Sequence, residues 1–531
     1  MANIITRRSF LKSGAQAAAA AGLASMINIP PFLRRALAEG NIGISGKKLL
    51  FIFLRGGNDG INNIIPIQDP AYYVGRPAAI ASDPGHIGFP KDPGTDYAAV
   101  TGTCDTPGLG SPYPIRLGNG FAALNPALAD LAPLFNTGKL ALIHRAGYRT
   151  QSRSHFDSEV YWEKGTNGTS ENRAVQDGLW YRTIVQSGWN RNHALAGVSI
   201  QSNMPQSLRG VEPMTNLSSI GRYNILGVSA PSGSFNTDRV KLLNAIDAAM
   251  QSPTPTKDNR ELVKGLGVAF RDTLDIFQDP SFNTNNFFDS DGSTRLFPSQ
   301  SSEDPLNRFG GSFGFIQNIK SAAQILANTD AIITGTEMGG FDTHTAQVTV
   351  GSPHLGGHAN LLKRIGWAFY ALSKFFSNPA YNVQGRSLWN DVVIITMSEF
   401  GRTSAENASV GTDHGEASVM YVAGGGVTGG VYGCDPGFTN GVQNWTPGTG
   451  TLGTVGTVKD GSLYAANNTV GYLRRVIDYR SVLGEIIRDH LGATQNQLNN
   501  IIPSYANEGT EHLKSGGIVS STPILGELGI V

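Results

Sequence analysis

A few short stretches of the chain carry residue types that can do chemistry. Within 392–426, Ser-Glu-Phe-Gly-Arg follows one apolar run and Thr-Asp-His-Gly precedes another. That sets Glu399 and Arg402, then Asp413 and His414, beside two strand-like segments. Asp342 and His344 lie two residues apart in Gly-Gly-Phe-Asp-Thr-His, and Asp59 ends Gly-Gly-Asn-Asp after a further apolar run. Ser152, Arg153, Ser154, His155 and Asp157 crowd the start of a helical stretch. Carboxylate oxygen and imidazole together suit zinc, manganese or iron. A hydroxyl at a helix start, beside a guanidinium, suits an anionic ester.

Each of these has a plainer alternative. Asn-Asp-Gly is strong turn chemistry, so Asp59 is either a turn former or a ligand. Asp342 with His344, and Asp413 with His414, are metal ligands or only satisfied hydrogen-bond networks. Glu399 and Arg402 serve the site or close a loop as a buried salt bridge. Ser154 is a nucleophile or a helix cap. His155 is a base, a ligand or a local cap. His86, His193, His490 and His512 read as structural or surface residues. Three glycines at 424–426 follow a strand but lack the Lys-Ser/Thr of a phosphate-binding loop.

The elements that must position these residues alternate between strand and helix. The run 49–54 is apolar without alternation, as in a central strand buried on both faces. Asn125 caps and Pro126 starts a helix that Gly138 ends, and 140–143 is the next strand. Further helices are expected over 154–164, 238–250, 261–277, 313–328, 361–376 and 479–491, the last capped by Asp478. Strands are expected at 195–200, 331–334, 392–396 and 419–422. The segments 279–305 and 435–468 are polar and glycine-bearing, as in loops or insertions. This alternation implies a doubly wound, mostly parallel α/β sheet with helices on both faces and insertions near 237–330 and 435–468. Ligands of such sheets bind beyond the carboxyl ends of the strands, so Asp59, Asp342, His344, Glu399 and His414 are expected at one sheet edge, with Ser154 opening a helix toward them.

The ends and the composition narrow the class. Thr6-Arg7-Arg8-Ser9-Phe10-Leu11-Lys12, the uncharged Ala-rich stretch after it and Ala36-Leu37-Ala38 form a twin-arginine export signal over 1–38. Five of the 41 basic residues lie in it, so 36 remain against 41 acidic ones. That balance argues against a nucleic-acid surface. No later apolar run is long enough to span a membrane. Charged residues are 15% of the chain, against roughly 25% in typical domains, and glycine is abundant. Cys104 and Cys434 are far apart in sequence, so an oxidising compartment leaves their pairing open, and no Cys-x-x-Cys occurs.

The stretches FLRGGNDG, RSHFDSEVYWEKG, GGFDTHTAQ, MSEFGRT and GTDHG, the last followed by VMYVAGGGVTGG, resemble the bacterial unknown-function domain family numbered 1501. The resemblance runs from about Lys47 to Leu491, with 492–531 as a C-terminal tail. It implies an alkaline phosphatase-like fold, shared with sulfatases, phosphatases and phosphoglycerate mutases. It also implies divalent cations on Asp and His, and a nucleophile at a helix N-terminus. Carried over, Asp59 resembles the metal Asp after the first strand, and Asp342 the first-site Asp. Glu399 takes the Asp place of the Asp-His-Gly motif, and His414 resembles the last His. Ser152 or Ser154 stands where the nucleophile would be. Phe400 replaces a ligand His, and Asp-x-x-x-His is absent, with His358 as a substitute. One of the two cation sites is therefore expected to be altered.

The resulting expectation is an exported metal-assisted hydrolase of phosphate or sulfate esters, periplasmic or secreted. Its substrate would be a small-molecule or polysaccharide ester. The catalytic set is Ser154, Ser152, Arg153, His155 and Arg402. The metal set is Asp59, Asp342, His344, His358, Glu399, Asp413 and His414, for zinc, manganese, iron, calcium or magnesium. The alternative is a non-catalytic periplasmic binding or assembly protein that keeps the hydrolase fold with a degenerate metal site, which need hold no metal.

Overall fold

The computed structural model describes residues 46–531 except 107–109, 170–173, 194, 213, 219–283, 446–463, 466–470, 504, 506–510, 520 and 521. The stretch 1–38, expected to be an export signal, and the helices expected over 238–250 and 261–277 lie outside the described residues. The fold is α/β, built on a nine-stranded mixed sheet. Its strands are β1 (Lys48–Leu54), β2 (Leu140–Gly147), β3 (Gly197–Ile200), β4 (Thr215–Leu217), β5 (Ile333–Met338), β6 (Val392–Met397), β7 (Ser418–Ala423), β8 (Gly430–Tyr432) and β9 (Ile477–Asp478). Their order is β8-β2-β7-β6-β1-β5-β3-β4, with β9 also paired to β2.

β1 is the centre, and all seven of its residues are buried. Leu50, Ile52 and Leu54 enter one core and Leu49, Phe51 and Phe53 the other, which is why the run shows no alternation. The first core packs α3 (Gly314–Asn328) and α4 (Gly357–Ser377) on the sheet; the second packs α1 (His155–Lys164), α2 (Leu179–Gln186), α5 (Tyr479–Glu485) and α6 (Gln495–Ile501) on the opposite face. Helices therefore cover both faces. The segment 492–531 contributes Leu498, Ile501, Leu525 and Ile530 to the second core. The stretch 237–330 includes α3, so from Gly314 onward it belongs to the core.

Strand directions settle which residues meet. β1 runs parallel to β5 and β6, so the ends of all three reach one edge. β7 runs antiparallel to β6, so its beginning, just after His414, returns to that edge. β2 is antiparallel to β7, so its end at Gly147 arrives there too, and delivers 148–154 and α1.

Several boundaries moved for local reasons. The strand expected at 331–334 is Ile333–Met338. Its Gly335 lies against the Phe51 ring, where a Cβ would come within 2.2 Å, so an apolar-run criterion stops too early. Asn125 does cap, accepting from Ala127 N at 2.9 Å, but Pro126–Leu131 is a 3-10 segment that kinks at Leu128 before Ala132–Asn136 becomes α-helical. Asp478 caps α5 through Arg480 N, and the helix widens to a π-turn over Ile486–His490. Cys104 and Cys434 are both buried free thiols. Among the described residues, no helix is long and apolar enough to cross a membrane.

Candidate functional site

Three segments bring a carboxylate and three imidazoles together at this edge. Asp342 and His344 follow β5, His414 precedes β7, and His155 is the first residue of α1. Asp342 Oδ1 lies 3.0 Å from His344 Nε2 and 3.1 Å from His414 Nε2. The two Nε2 atoms are 3.0 Å apart. His155 Nε2 makes no hydrogen bond and stands 3.6 Å from Asp342 Oδ2. His155, Asp342 and His414 form one grouping that could hold a metal ion, and His155, Glu159 and Glu399 a second.

The outward nitrogen of each ring is fixed by an acceptor. His344 Nδ1 donates to Asp413 Oδ1 at 2.9 Å, and Asn407 Nδ2 holds that carboxylate at 3.2 Å. His414 Nδ1 donates to the Arg153 carbonyl at 2.8 Å. His155 Nδ1 donates to Glu399 Oε1 at 2.8 Å. A carbonyl or carboxylate only accepts, so each Nδ1 carries a proton and each Nε2 is the inward nitrogen, that of His414 also within hydrogen-bond distance of Asp342 Oδ1; in the neutral ring it offers its lone pair to a cation.

The site is open to water: Asp342 and His344 side chains are 47% and 40% exposed. Beneath it everything is closed. Arg402 is buried and donates to the carbonyls of Gly56, Gly57, Phe341 and Thr412, and to Asp342 Oδ1 at 2.6 Å. Burial raises the Asp342 pKa, but Arg402 and the neighbouring imidazoles outweigh it and hold the carboxyl down at about 2. Hydrogen bonding to Glu399 raises the pKa of His155, and burial lowers that of His414. The Glu399–Arg402 pair offered by sequence does not form: Glu399 pairs with His155, and Arg402 with Asp342. Arg402 reaches the site only through Asp342, so its part is positioning.

Gly56 makes this packing feasible. Its φ is +115°, and a Cβ would lie 2.4 Å from Asp342 N. Its own N–H donates to Glu399 Oε1 at 2.7 Å.

Residues 319–445 match the model of a family described as protein of unknown function (DUF1501). No curated protein and no solved structure matches the chain. The matched segment spans Asp342, His344, His358, Glu399, Arg402, Asp413 and His414, and leaves out Asp59 and Ser152–His155.

Asp59 and His358 stay out of the cluster and form a fully buried group of their own. Both Asp59 oxygens are taken by Arg76, at 2.8 and 2.9 Å, and Gln347 adds a bond at 2.6 Å. Burial would raise the Asp59 pKa, but Arg76, His358 and Gln347 lower it on balance. His358 Nε2 lies 3.3 Å from Asn58 Oδ1, and burial lowers its pKa to about 4. Ser152 Oγ accepts from Ser154 N at 3.2 Å, whereas Ser154 makes no side-chain cap bond. The Arg153 guanidinium lies over the Tyr472 ring, 4.5 Å from its centroid. Sequence reasoning missed Arg76, Gln347, Asn407, Gly56 and Tyr472. Only Gly56 carried a signal, as one of two glycines closing a central strand.

Proposed function

We propose that the chain is an exported metal-assisted hydrolase of phosphate or sulfate esters on a doubly wound, alkaline phosphatase-like scaffold. The carrying observation is Asp342 Oδ1 within 3.1 Å of two inward Nε2 atoms whose rings are locked from behind. Two imidazoles and a carboxylate are the donors a zinc-class ion takes, so Asp342, His344 and His414 fit the metal. When bound, such an ion polarises an ester oxygen and stabilises negative charge on it.

The remaining work falls to the chain itself. Ser154 is the nucleophile of this reading, since its hydroxyl makes no cap bond at the start of α1 and that of Ser152 is engaged. The α1 dipole favours an anion there. Arg153, exposed and braced on Tyr472, offers its guanidinium to an ester oxygen. Arg402 keeps Asp342 ionised and aimed.

The purified mature chain, supplied with zinc or manganese, should hydrolyse p-nitrophenyl phosphate or p-nitrophenyl sulfate, and Ser154→Ala should lose at least about 100-fold in kcat/KM. Turnover no greater than a chelated control on both esters would sink the hydrolase reading. A second reading, a non-catalytic binding or assembly protein, is favoured by Phe400, wholly buried where the resembled pattern has a ligand His. Metal binding without turnover would support it. Export rests on Arg7 and Arg8: the double Lys variant should accumulate as unprocessed precursor, and normal processing would refute the twin-arginine route.

A further inference from the structure

We infer that His155 is the fourth protein ligand of this centre and that Glu399 is its positioning partner, so the site takes one ion on three imidazole nitrogens and the Asp342 carboxylate. This rests on the metal reading of Asp342, His344 and His414. It departs from the resembled pattern, in which Glu399 would itself bind a second cation.

The spacing of the inward atoms suits one ion. Zinc-class ions bind nitrogen and oxygen at about 2.0–2.1 Å in four-coordinate sites, which puts neighbouring ligand atoms roughly 3.3 Å apart. The observed separations are 3.0 Å for His344 Nε2 to His414 Nε2, 3.0 and 3.1 Å from these to Asp342 Oδ1, and 3.6 Å from His155 Nε2 to Asp342 Oδ2. Three inward imidazole nitrogens at a carboxylate are held at such distances either by protons, as in the His414 Nε2–Asp342 Oδ1 hydrogen bond, or by a cation between them, and one cation can replace several such protons. His155 joins Asp342 and His414 in a group whose ligand atoms all lie within 4.8 Å of one another, and it faces the second carboxylate oxygen. Its Nδ1 proton is held from behind, and its Nε2 is shielded from solvent without a hydrogen-bond partner.

Glu399 is already committed behind His155. It is wholly buried, and Oε1 accepts from both Gly56 N and His155 Nδ1. A carboxylate so placed orients an imidazole and raises its basicity, as an outer partner of a metal ligand does.

The carboxylates beside His155 already have partners of their own. Glu159, which groups with His155 and Glu399, is paired to Arg55 at 2.9 Å. The Arg55 guanidinium also pairs with Glu163 and Glu337, so Glu159 belongs to a structural cluster in which three carboxylates share one guanidinium. On the other side the buried Phe400 ring sits 4.7 Å, centroid to centroid, from both His155 and His414. It walls the centre with hydrocarbon that donates no lone pair.

The test is cobalt(II) titration of the metal-stripped mature chain, read by visible absorption and by elemental analysis. Wild type should take one ion per chain with the intense absorption of a four-coordinate site. His155→Ala should bind at least about 10-fold more weakly, with a weakened band as the coordination changes. Glu399→Gln should keep a stoichiometry of one and lose about 10–100-fold in affinity, as outer-partner changes do. Glu399→Asp should recover part of that loss. Thermal melts by circular dichroism confirm folding, and His155→Gln replaces His155→Ala if the latter does not fold. Two ions in wild type, one of them lost in Glu399→Gln, would make Glu399 a ligand and overturn the inference. Unchanged affinity and spectrum in His155→Ala, with binding lost in His344→Ala, would overturn it while leaving the proposed function standing. No ion bound by wild type would overturn both.

Discussion

The chain holds two groups of Asp and His at one sheet edge, and they differ in almost every physical respect. Asp342, His344, His414 and His155 are partly exposed, and their inward nitrogens and carboxylate oxygens face one another. Asp59 and His358 are buried, and Asp59 is saturated by Arg76 and Gln347. Residue type is therefore a poor guide to function here, and hydrogen-bond saturation a better one. A carboxylate whose oxygens are already taken by a guanidinium stabilises the fold. A carboxylate among inward nitrogens is set to receive something.

Removing one member of each group should separate these roles. Arg76→Ala leaves the Asp59 charge buried without its guanidinium. The expected loss is about 3–5 kcal/mol of stability, measured by urea unfolding. His344→Ala, on the open group, should leave stability within about 1 kcal/mol of wild type in metal-free buffer. Equal losses in the two variants would erase the distinction.

Gly56→Ala strikes the seam between the groups. Its φ of +115° and the 2.4 Å approach to Asp342 N allow no Cβ without backbone movement. We expect a loss of about 1–3 kcal/mol together with displacement of Asp342. Preserved stability and metal affinity in this variant would show that the loop has slack the geometry denies.

How much of this was legible in sequence follows from the range of each signal. β1 could be read because a short apolar run with no alternation fits little besides a strand buried on both faces. Asp342, His344, Glu399 and His414 could be placed at one edge because each flanks a strand, and edge position follows from strand direction. Saturation could not be read. Arg76 meets Asp59 across a turn and a short helix of no marked pattern, and Gln347 reaches it from 288 residues away. The unformed Glu399–Arg402 pair fails for the same reason. The two lie three residues apart, but the backbone sends Glu399 toward α1 and Arg402 toward the loops after β1 and β5.

Acid titration gives a finer cut. The Asp59 pKa is lowered in the folded chain. Its contribution is therefore fully present above the unfolded value, about 3.9, and is lost as pH falls through the lower folded value. The stability gap between wild type and Asp59→Asn should be constant from about pH 5 to 7 and narrow below about pH 4, by at most about 1.4 kcal/mol per pH unit for one proton. A gap that widened toward acid would mean that Asp59 is protonated in the fold and that Arg76 is stabilised by other partners.

The smallest effect belongs to the outermost contact of the open group. Asp413 is 53% exposed, and its Oδ1 accepts from His344 Nδ1 and Asn407 Nδ2. Water competes for both bonds, and salt screens the charge. Asp413→Ala should cost only about 0.2–1 kcal/mol of stability in metal-free buffer. The same change frees the His344 ring to rotate and removes the acceptor that fixes its tautomer. Metal affinity should then fall about 10–100-fold, far more than the stability change alone implies. Urea unfolding and cobalt titration of one preparation would compare the two directly. Proportionate losses in stability and affinity would place Asp413 with the structural carboxylates such as Asp59, and would remove the contrast at its outer boundary.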